Sequence, residues 1–333
     1  MNRRQFIAAT GSAVAAQAVA AAADVTAITT QFLWIKNVEY AGFYIADAKG
    51  YYARAGIAPA FLAGGPNLPS VEAAVVAGRA DVGFNDIEKI TDAIAAGADF
   101  VVLGAVYQHS VGGILSLPQA PVHSARDLVG KRIGIQSGAQ EYIDGVFNVN
   151  HLPREYTPVP VGFGPEPLLQ GACDAYLCYL VNQPLILEAR HIPHVVVSFD
   201  ALNFPLYSGC LYASRSVVAS RRDVLVRYLR ATAQGWAENA RNPDLGANLT
   251  VNTYGASLGL SLNEQISQNR AQVPLTQSDL TRRHGGPLWV STEQIAGPIY
   301  RALRAAGHTS LPPVSKLVDL SLLQEAYAHG IGA

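Results

Sequence analysis

The residues best suited to contact a ligand are aromatic and polar side chains that follow predicted strands. They form five clusters, each at the end of a strand or the start of the next helix. Aromatic rings offer flat stacking surfaces, while amides and carboxylates can hydrogen-bond the edge of a ring. In open α/β sheets ligands bind beyond the carboxyl ends of the strands, so the five clusters indicate one shared site. The predicted binding residues are Trp34, Asn37, Tyr40, Asp86, Tyr107, Gln108, Ser137, Tyr179 and Asn182.

The sequence lacks the motifs of common catalytic and metal sites. No G-x-S-x-G, H-E-x-x-H, C-x-x-C or Walker A pattern occurs. His191 and His194 flank Pro193, and two ligands do not complete a metal site. We therefore predict no catalytic residue and no metal.

The three cysteines are Cys173, Cys178 and Cys210. Residues an odd number apart in a strand point to opposite faces, so a disulfide between the first two would need a bend between them. We predict buried thiols, with that disulfide as the alternative.

The elements that must position the five clusters alternate between strand and helix. The hydrophobic period switches repeatedly between 2 and 3.6, which is typical of βαβ units and a mostly parallel sheet. A first set begins with a strand at residues 26–34 and a helix at 40–54, and ends with a strand at 100–107. Ser137 is predicted to cap a helix that begins at Ala139 in the second set.

After a strand at residues 210–214, the chain is predicted to be helical. The first of these helices places six large or β-branched side chains on one face at helical spacing. The predicted helices are 221–242, 243–254, 262–272, 292–306 and 320–328.

This order predicts two lobes. Residues 24–111 and 211–333 would form the first lobe and residues 112–210 the second, with crossings near 111–114 and 207–211. Glycines accompany both crossings, and glycine absorbs backbone rotation without a Cβ penalty. We expect a hinge there and a ligand cleft between the lobes.

Residues 1–23 resemble an export signal. Arg3-Arg4 precedes Phe6-Ile7 and an alanine-rich apolar stretch, which is typical of the twin-arginine type. Small residues provide a cleavage site near residues 20–23. We expect the mature protein in the periplasm.

Composition excludes several classes of protein. Lys and Arg total 24 and Asp and Glu total 25, so a chain of 333 residues with a net charge of −1 has no basic footprint for nucleic acid. Half of the residues are hydrophobic and 15% are charged, which argues against a disordered chain. No transmembrane helix is predicted in the body of the chain.

Four stretches together resemble the thiamine-pyrimidine-synthase-like family of ABC-transporter periplasmic substrate-binding proteins, which are related to binders of alkanesulfonates, taurine and nitrate. The resemblance spans roughly residues 26–260. It rests on WIKNVEYAGFYIA at 34–46, AGRADVG at 77–83, DLVGKRIGI at 127–135, and LLQG at 168–171 with NQP at 182–184.

The resemblance implies a type II periplasmic-binding-protein fold, with two Rossmann-like lobes joined by two hinge crossovers. It implies a solute-binding protein, not an enzyme, that delivers a thiamine pyrimidine precursor or a flavin to ABC permease subunits. We expect a monomer without a cofactor and without a nucleic-acid partner.

Two alternatives remain open. A sulfonate, taurine or nitrate carrier would hold its anion at a helix N-terminus such as residues 137–139, together with an arginine. A thiamine-pyrimidine synthase would carry a cysteine-rich run and a cofactor lysine. Here Cys210 stands alone within residues 208–212, and residues 64–76 contain no lysine or histidine.

Overall fold

Ten strands form two five-stranded sheets in a computed structural model that describes residues 25–65 and 68–331. The predicted export signal at residues 1–23 lies outside the described residues. The strands are β1 Thr26–Gln31, β2 Ile57–Leu62, β3 Val82–Asn85, β4 Phe100–Tyr107, β5 Gly112–Ser116, β6 Arg132–Ile135, β7 Thr157–Pro160, β8 Ala175–Tyr179, β9 Val195–Ser198 and β10 Ser208–Ser214.

The first sheet has the order β2-β1-β3-β10-β4. β1 pairs in parallel with β2 and β3, whereas β10 lies antiparallel between β3 and β4. Every residue of β4 is buried, as expected for a continuous apolar strand covered on both faces.

The second sheet has the order β7-β6-β8-β5-β9, in which β5 runs antiparallel to both of its neighbours. Gly112 and Gly113, which accompany the first predicted crossing, begin strand β5 of this sheet. A Cβ on Gly113 would lie 2.6 Å from the carbonyl oxygen of Val197 in β9. Close approach of the neighbouring strand therefore requires glycine here.

Helices connect and cover the sheets, so the predicted alternation of strand and helix is confirmed. The α-helices are α1 Ala41–Ala48, α2 Tyr51–Arg54, α3 Val71–Val76, α4 Ile87–Ala95, α5 Gln140–Val149, α6 Glu166–Leu169, α7 Gln183–Ala189, α8 Arg215–Ser220, α9 Arg222–Arg241, α10 Pro243–Leu249, α11 Leu262–Gln272, α12 Asp279–Arg283, α13 Thr292–Gln294, α14 Tyr300–Ala305, α15 Val314–Leu317 and α16 Ser321–Tyr327.

Several predicted helices differ in detail, and the one at 243–254 becomes π-helical from Thr250. The helix predicted at 40–54 is divided into α1 and α2 because Gly50 adopts a left-handed conformation with φ 70°. The stretch predicted at 292–306 contains a π-helical turn at Ile295–Ile299 around Pro298, which lacks a backbone N–H. Ser137 does not cap α5, whose N-cap is Ala139.

Helix α9 packs closely against α1 in the first sheet's core. The predicted apolar face of α9 is buried, including Trp236 and Tyr228. A Cβ on Gly235 would lie 2.0 Å from the carbonyl oxygen of Gly42 in α1. The two helices therefore cross at a contact between glycines, which fixes the position of α1 and of the segment before it.

Residues 108–111 and 199–207 connect the two sheets. The first connection ends before residue 112, so Ile114 lies within β5 and not in a crossing. Helix α14 also packs against α5, where Asn148 Nδ2 donates to Ala305 O at 2.7 Å. The boundaries of the two lobes stay a prediction. Across residues 25–65 and 68–331, no helix has the length and apolar character needed to cross a membrane.

Candidate functional site

A cavity of about 310 Å³ opens among residues that follow strands of both sheets. Residues after β1, β3 and β4 face residues after β7 and β8, as expected for a site at the carboxyl ends of strands. Its walls are formed by Leu33, Trp34, Asn37, Val38, Glu39, Asp86, Tyr107, Val111, Phe163, Tyr179, Val181, Asn182, Gln183, Ser208, Gln268 and Gln272.

Two aromatic rings from different sheets meet at one wall of the cavity. The ring centroids of Trp34 and Phe163 are 5.4 Å apart at an interplanar angle of 58°. Phe163 is 55% exposed, an unusual state for a large apolar side chain. The backbone of Trp34 is held in place because Gly64 N donates to Trp34 O at 2.9 Å. A flat ligand could therefore be contacted by one ring from each sheet.

A hydrogen-bonded group of amides and hydroxyls forms a second wall. Tyr107 Oη donates to Gln272 Oε1 at 2.6 Å, and Gln272 Nε2 donates to Val38 O at 2.9 Å. Asn37 Oδ1 accepts from Glu39 N at 3.1 Å, which caps the short 3₁₀ helix at Val38–Tyr40. Helix α11 thus fixes the segment that presents Asn37 and Glu39 to the cavity.

Two acidic side chains, Glu39 and Asp86, line this cavity. Burial and the neighbouring Asp86 raise the pKa of Glu39 to about 8. Burial likewise raises the pKa of Asp86, although its Oδ1 accepts a hydrogen bond from Gly209 N at 3.0 Å. The described residues lining the cavity include no lysine, arginine or histidine. The described cavity wall therefore offers no positive charge to an anionic ligand.

A second cavity of about 40 Å³ adjoins the first and shares Asp86, Val111, Tyr179 and Ser208 with it. Glu88 of α4 also lines this smaller cavity. Its Oε1 accepts from Tyr142 Oη of α5 at 2.6 Å.

Beside this hydrogen bond, Lys89 Nζ and Glu141 Oε1 form an ion pair at 2.9 Å. Helix α4 follows a strand of the first sheet, and α5 follows a strand of the second. The hydrogen bond and the ion pair therefore join elements of the two sheets beside the cavities.

Six of the nine binding residues predicted from the sequence line the larger cavity: Trp34, Asn37, Asp86, Tyr107, Tyr179 and Asn182. The other three lie elsewhere. Tyr40 is fully buried, stacks on Phe32 with centroids 3.8 Å apart, and accepts from Trp34 N through its Oη at 2.8 Å. Gln108 Nε2 donates to Trp289 O at 2.9 Å, and Ser137 is exposed outside both cavities. Binding by any of the nine stays a prediction.

The sequence-based set omitted several residues of the cavity wall. Glu39 and Gln183 belong to the clusters that follow strands. Glutamate and glutamine are also common near the starts of helices, so residue type alone did not identify these two as binding residues. Phe163 lies in the Gly162-Phe163-Gly164-Pro165 loop, whose glycines were the available signal. Gln268 and Gln272 come from α11, far along the chain, and carry no local signal of a site.

All three cysteines lie in the interior of the protein. Cys173, Cys178 and Cys210 are buried free thiols, which confirms the prediction that they do not pair. Burial raises the pKa of all three thiols above the usual value. Within residues 25–65 and 68–331, no group of three His, Cys, Asp or Glu side chains is placed to hold a metal ion.

The sequence is similar to those of known binding proteins and enzymes. The riboflavin-binding protein RibY of Chloroflexus aurantiacus is 26% identical over 300 residues, which are 86% of this chain and 82% of RibY. A 4-amino-5-hydroxymethyl-2-methylpyrimidine phosphate synthase of Schizosaccharomyces pombe is 27% identical over 225 residues, which are 63% of this chain and 64% of the synthase.

The solved periplasmic sulfonate-binding protein SsuA of Methylobacillus flagellatus matches with a TM-score of 0.67 at 14% identity, over 92% of this chain and 95% of that one. This match confirms the predicted periplasmic-binding-protein fold. The family model described as NMT1/THI5 like matches residues 37–245, more than half of the sequence. The chain therefore belongs to the NMT1/THI5-like family.

Proposed function

We propose that this protein is the solute-binding component of an ABC importer and that the larger cavity binds a flat heteroaromatic ligand without negative charge. The observation that carries the proposal is the aromatic pair Trp34 and Phe163 beside an acidic wall formed by Glu39 and Asp86. The rings offer stacking surfaces, and carboxyl and amide groups can bind ring nitrogens and exocyclic donors. A thiamine pyrimidine precursor and a flavin both have this chemistry, and riboflavin is the ligand in the name of RibY.

The cavity wall favours this ligand class over a sulfonate or nitrate. An anion in the larger cavity would face two acidic side chains and no basic lining residue among those described. The helix start considered for anion binding at Ser137 is exposed and does not reach the cavity. This protein can therefore share the fold of the sulfonate-binding protein SsuA and still bind a ligand without negative charge.

A pyrimidine synthase is the second candidate because the S. pombe relative carries that name. The buried thiols with raised pKa are poor nucleophiles and poor metal ligands. An absorbance spectrum of the purified protein separates the two candidates. Bands of pyridoxal phosphate or of an iron centre would indicate a synthase, whereas bands of a bound flavin would indicate a solute-binding protein.

The proposed mechanism is closure of two lobes around the ligand. Residues 108–111 and 199–207 connect the sheets, and the pairs Tyr142–Glu88 and Lys89–Glu141 join α4 to α5 on one side of the cavities. A ligand that contacts both Trp34 and Phe163 would favour the closed arrangement through its differential affinity. ABC permease subunits would then receive the ligand from the closed form.

The proposed location is the periplasm. Replacing Arg3 and Arg4 with lysine should leave precursor in the cytoplasm if the twin-arginine route is used. Unchanged yield of mature periplasmic protein would remove that route.

A thermal-shift screen tests the ligand class. Riboflavin, 4-amino-5-hydroxymethyl-2-methylpyrimidine, ethanesulfonate and nitrate are added separately at equal ionic strength. A ligand present at 100 times its Kd stabilises the fold by about 2.7 kcal/mol. We expect stabilisation by a heteroaromatic compound and none by either anion. Stabilisation by ethanesulfonate or nitrate alone would overturn the proposal.

A further inference from the structure

Glu88 is an unusual residue in the wall of the smaller cavity. The residue is 1% exposed, and its Oε1 accepts from Tyr142 Oη at 2.6 Å. Its second carboxylate oxygen, Oε2, is buried and has no hydrogen-bond partner among the described protein atoms. A buried carboxylate oxygen without a donor is costly, and such atoms call for a functional explanation.

The surroundings of Glu88 indicate what kind of donor is missing. Asp86 lines the same cavity, so two carboxylates face a space of about 40 Å³. The hydroxyl-bearing residues Ser110 and Ser208 also line it. The Lys89 ammonium, whose charge acts on both Asp86 and Glu88, is paired with Glu141 at 2.9 Å. The smaller cavity therefore combines hydrogen-bond acceptors with two acidic side chains, and its described lining residues include no basic side chain.

We propose that the smaller cavity is a subsite for a primary ammonium group carried by the ligand of the larger cavity. This inference rests on the proposed function and narrows the ligand to a heteroaromatic ring with an aliphatic primary amine, a group that riboflavin and 4-amino-5-hydroxymethyl-2-methylpyrimidine lack. The two cavities share Asp86, Val111, Tyr179 and Ser208, so a substituent can extend from one into the other.

An ammonium group suits this space in three respects. It carries three donors, which match Glu88 Oε2, Asp86 and a serine hydroxyl. Its positive charge favours the ionised form of the two acidic side chains, at a site where burial strengthens the attraction. A space of this size also accepts a group as small as one water molecule.

The protonation of Glu88 agrees with this subsite. Burial and the neighbouring Asp86 raise the pKa of Glu88 to about 8, against the lowering effects of Tyr142 and Lys89. The carboxyl group therefore holds a proton at neutral pH, which an incoming ammonium group would displace into solvent.

The first experiment tests the smaller cavity alone. The melting temperature is measured in methylammonium chloride and in sodium chloride at equal ionic strength. We expect methylammonium to raise it by about 2 °C relative to sodium. The difference should vanish in Glu88→Gln, which keeps the size of the side chain, and persist in Glu293→Gln, which removes an exposed carboxylate outside both cavities. Equal melting temperatures of the native protein in the two salts would overturn the proposal.

The second experiment tests whether one ligand occupies both cavities, with its ring in the larger and its ammonium group in the smaller. Calorimetry compares tryptamine, tryptophol and indole-3-acetate, which present one ring with a cationic, a neutral and an anionic arm. We expect tryptamine to bind about tenfold more tightly than tryptophol, as for one charge-assisted hydrogen bond. Glu88→Gln should reduce this ratio to about one.

The outcomes separate the two proposals. If tryptophol binds as tightly as tryptamine, the ammonium subsite is wrong and the aromatic site remains. If no indole binds while methylammonium still stabilises the native protein, the subsite is supported and the aromatic part of the proposed function fails.

Discussion

The stability of this protein should fall as pH rises, and Glu88 should cause much of the fall. The pKa of Glu88 is raised from 4.5 to about 8, chiefly by burial and then by the charge of Asp86. Between these two values the folded protein holds a proton on Glu88 that the unfolded chain has released. Stability contributed by this proton is fully present below pH 4.5 and is lost as pH rises through 8.

The magnitude follows from the size of the shift. Each pH unit between the two pKa values corresponds to about 1.4 kcal/mol, so the full shift gives an upper limit of roughly 5 kcal/mol. The substitution Glu88→Gln keeps the volume and the acceptor for Tyr142 Oη but does not ionise. The variant and the native protein should therefore have similar stability at pH 5. At pH 9 the variant should be more stable by several kcal/mol.

Urea unfolding followed by tryptophan fluorescence at pH 5, 7 and 9 measures this difference. Glu293→Gln serves as the control because Glu293 is exposed and its pKa is lowered by the Ser291 hydroxyl. We expect no gain from this control at pH 9. Equal losses of stability with pH in the native protein and in Glu88→Gln would refute the assignment of a raised pKa to Glu88.

Three further substitutions test the packing and the cavity wall. Trp34→Ala should weaken binding of a heteroaromatic ligand by about 1–3 kcal/mol in calorimetry, and a large loss of ligand-free melting temperature with unchanged affinity would remove Trp34 from the site. Gly235→Ala brings a Cβ within 2.0 Å of Gly42 O and should lower the free energy of unfolding by about 1–3 kcal/mol. An unchanged urea midpoint of unfolding would contradict the close contact between the two helices. Tyr107→Phe leaves Gln272 Oε1 without its donor at 2.6 Å and should cost about 1–3 kcal/mol, whereas full stability would show that this hydrogen bond is dispensable.

The sequence predicts best where local pattern and tertiary position agree. The strand at 100–107 has the predicted bounds because an apolar run of this length suits a buried strand. Trp34, Asp86 and Tyr179 line the larger cavity because the carboxyl ends of strands in the two sheets face each other there.

The remaining features depend on contacts distant in sequence. Tyr40 follows the same strand as Trp34, but its Oη accepts from Trp34 N and its ring packs in the core. Gln272 lines the cavity only because α11 packs beside the segment after β1. Gly113 was expected at a hinge crossing, but it pairs within β5, where the close approach of β9 leaves no room for a Cβ. The spacing of residues along the chain therefore does not predict which way a side chain points or where two backbone segments approach closely.

The position of β10 has a consequence for biosynthesis. β10 separates β3 from β4 in the first sheet, but the ribosome produces it only after the whole second sheet. Until Ser208–Ser214 emerges, β3 and β4 each lack a neighbour and present an unpaired edge. Pairing over such a separation is slow because a long loop must close first. Nascent chains that stop before residue 208 should therefore be prone to aggregation and should need a chaperone to remain competent to fold.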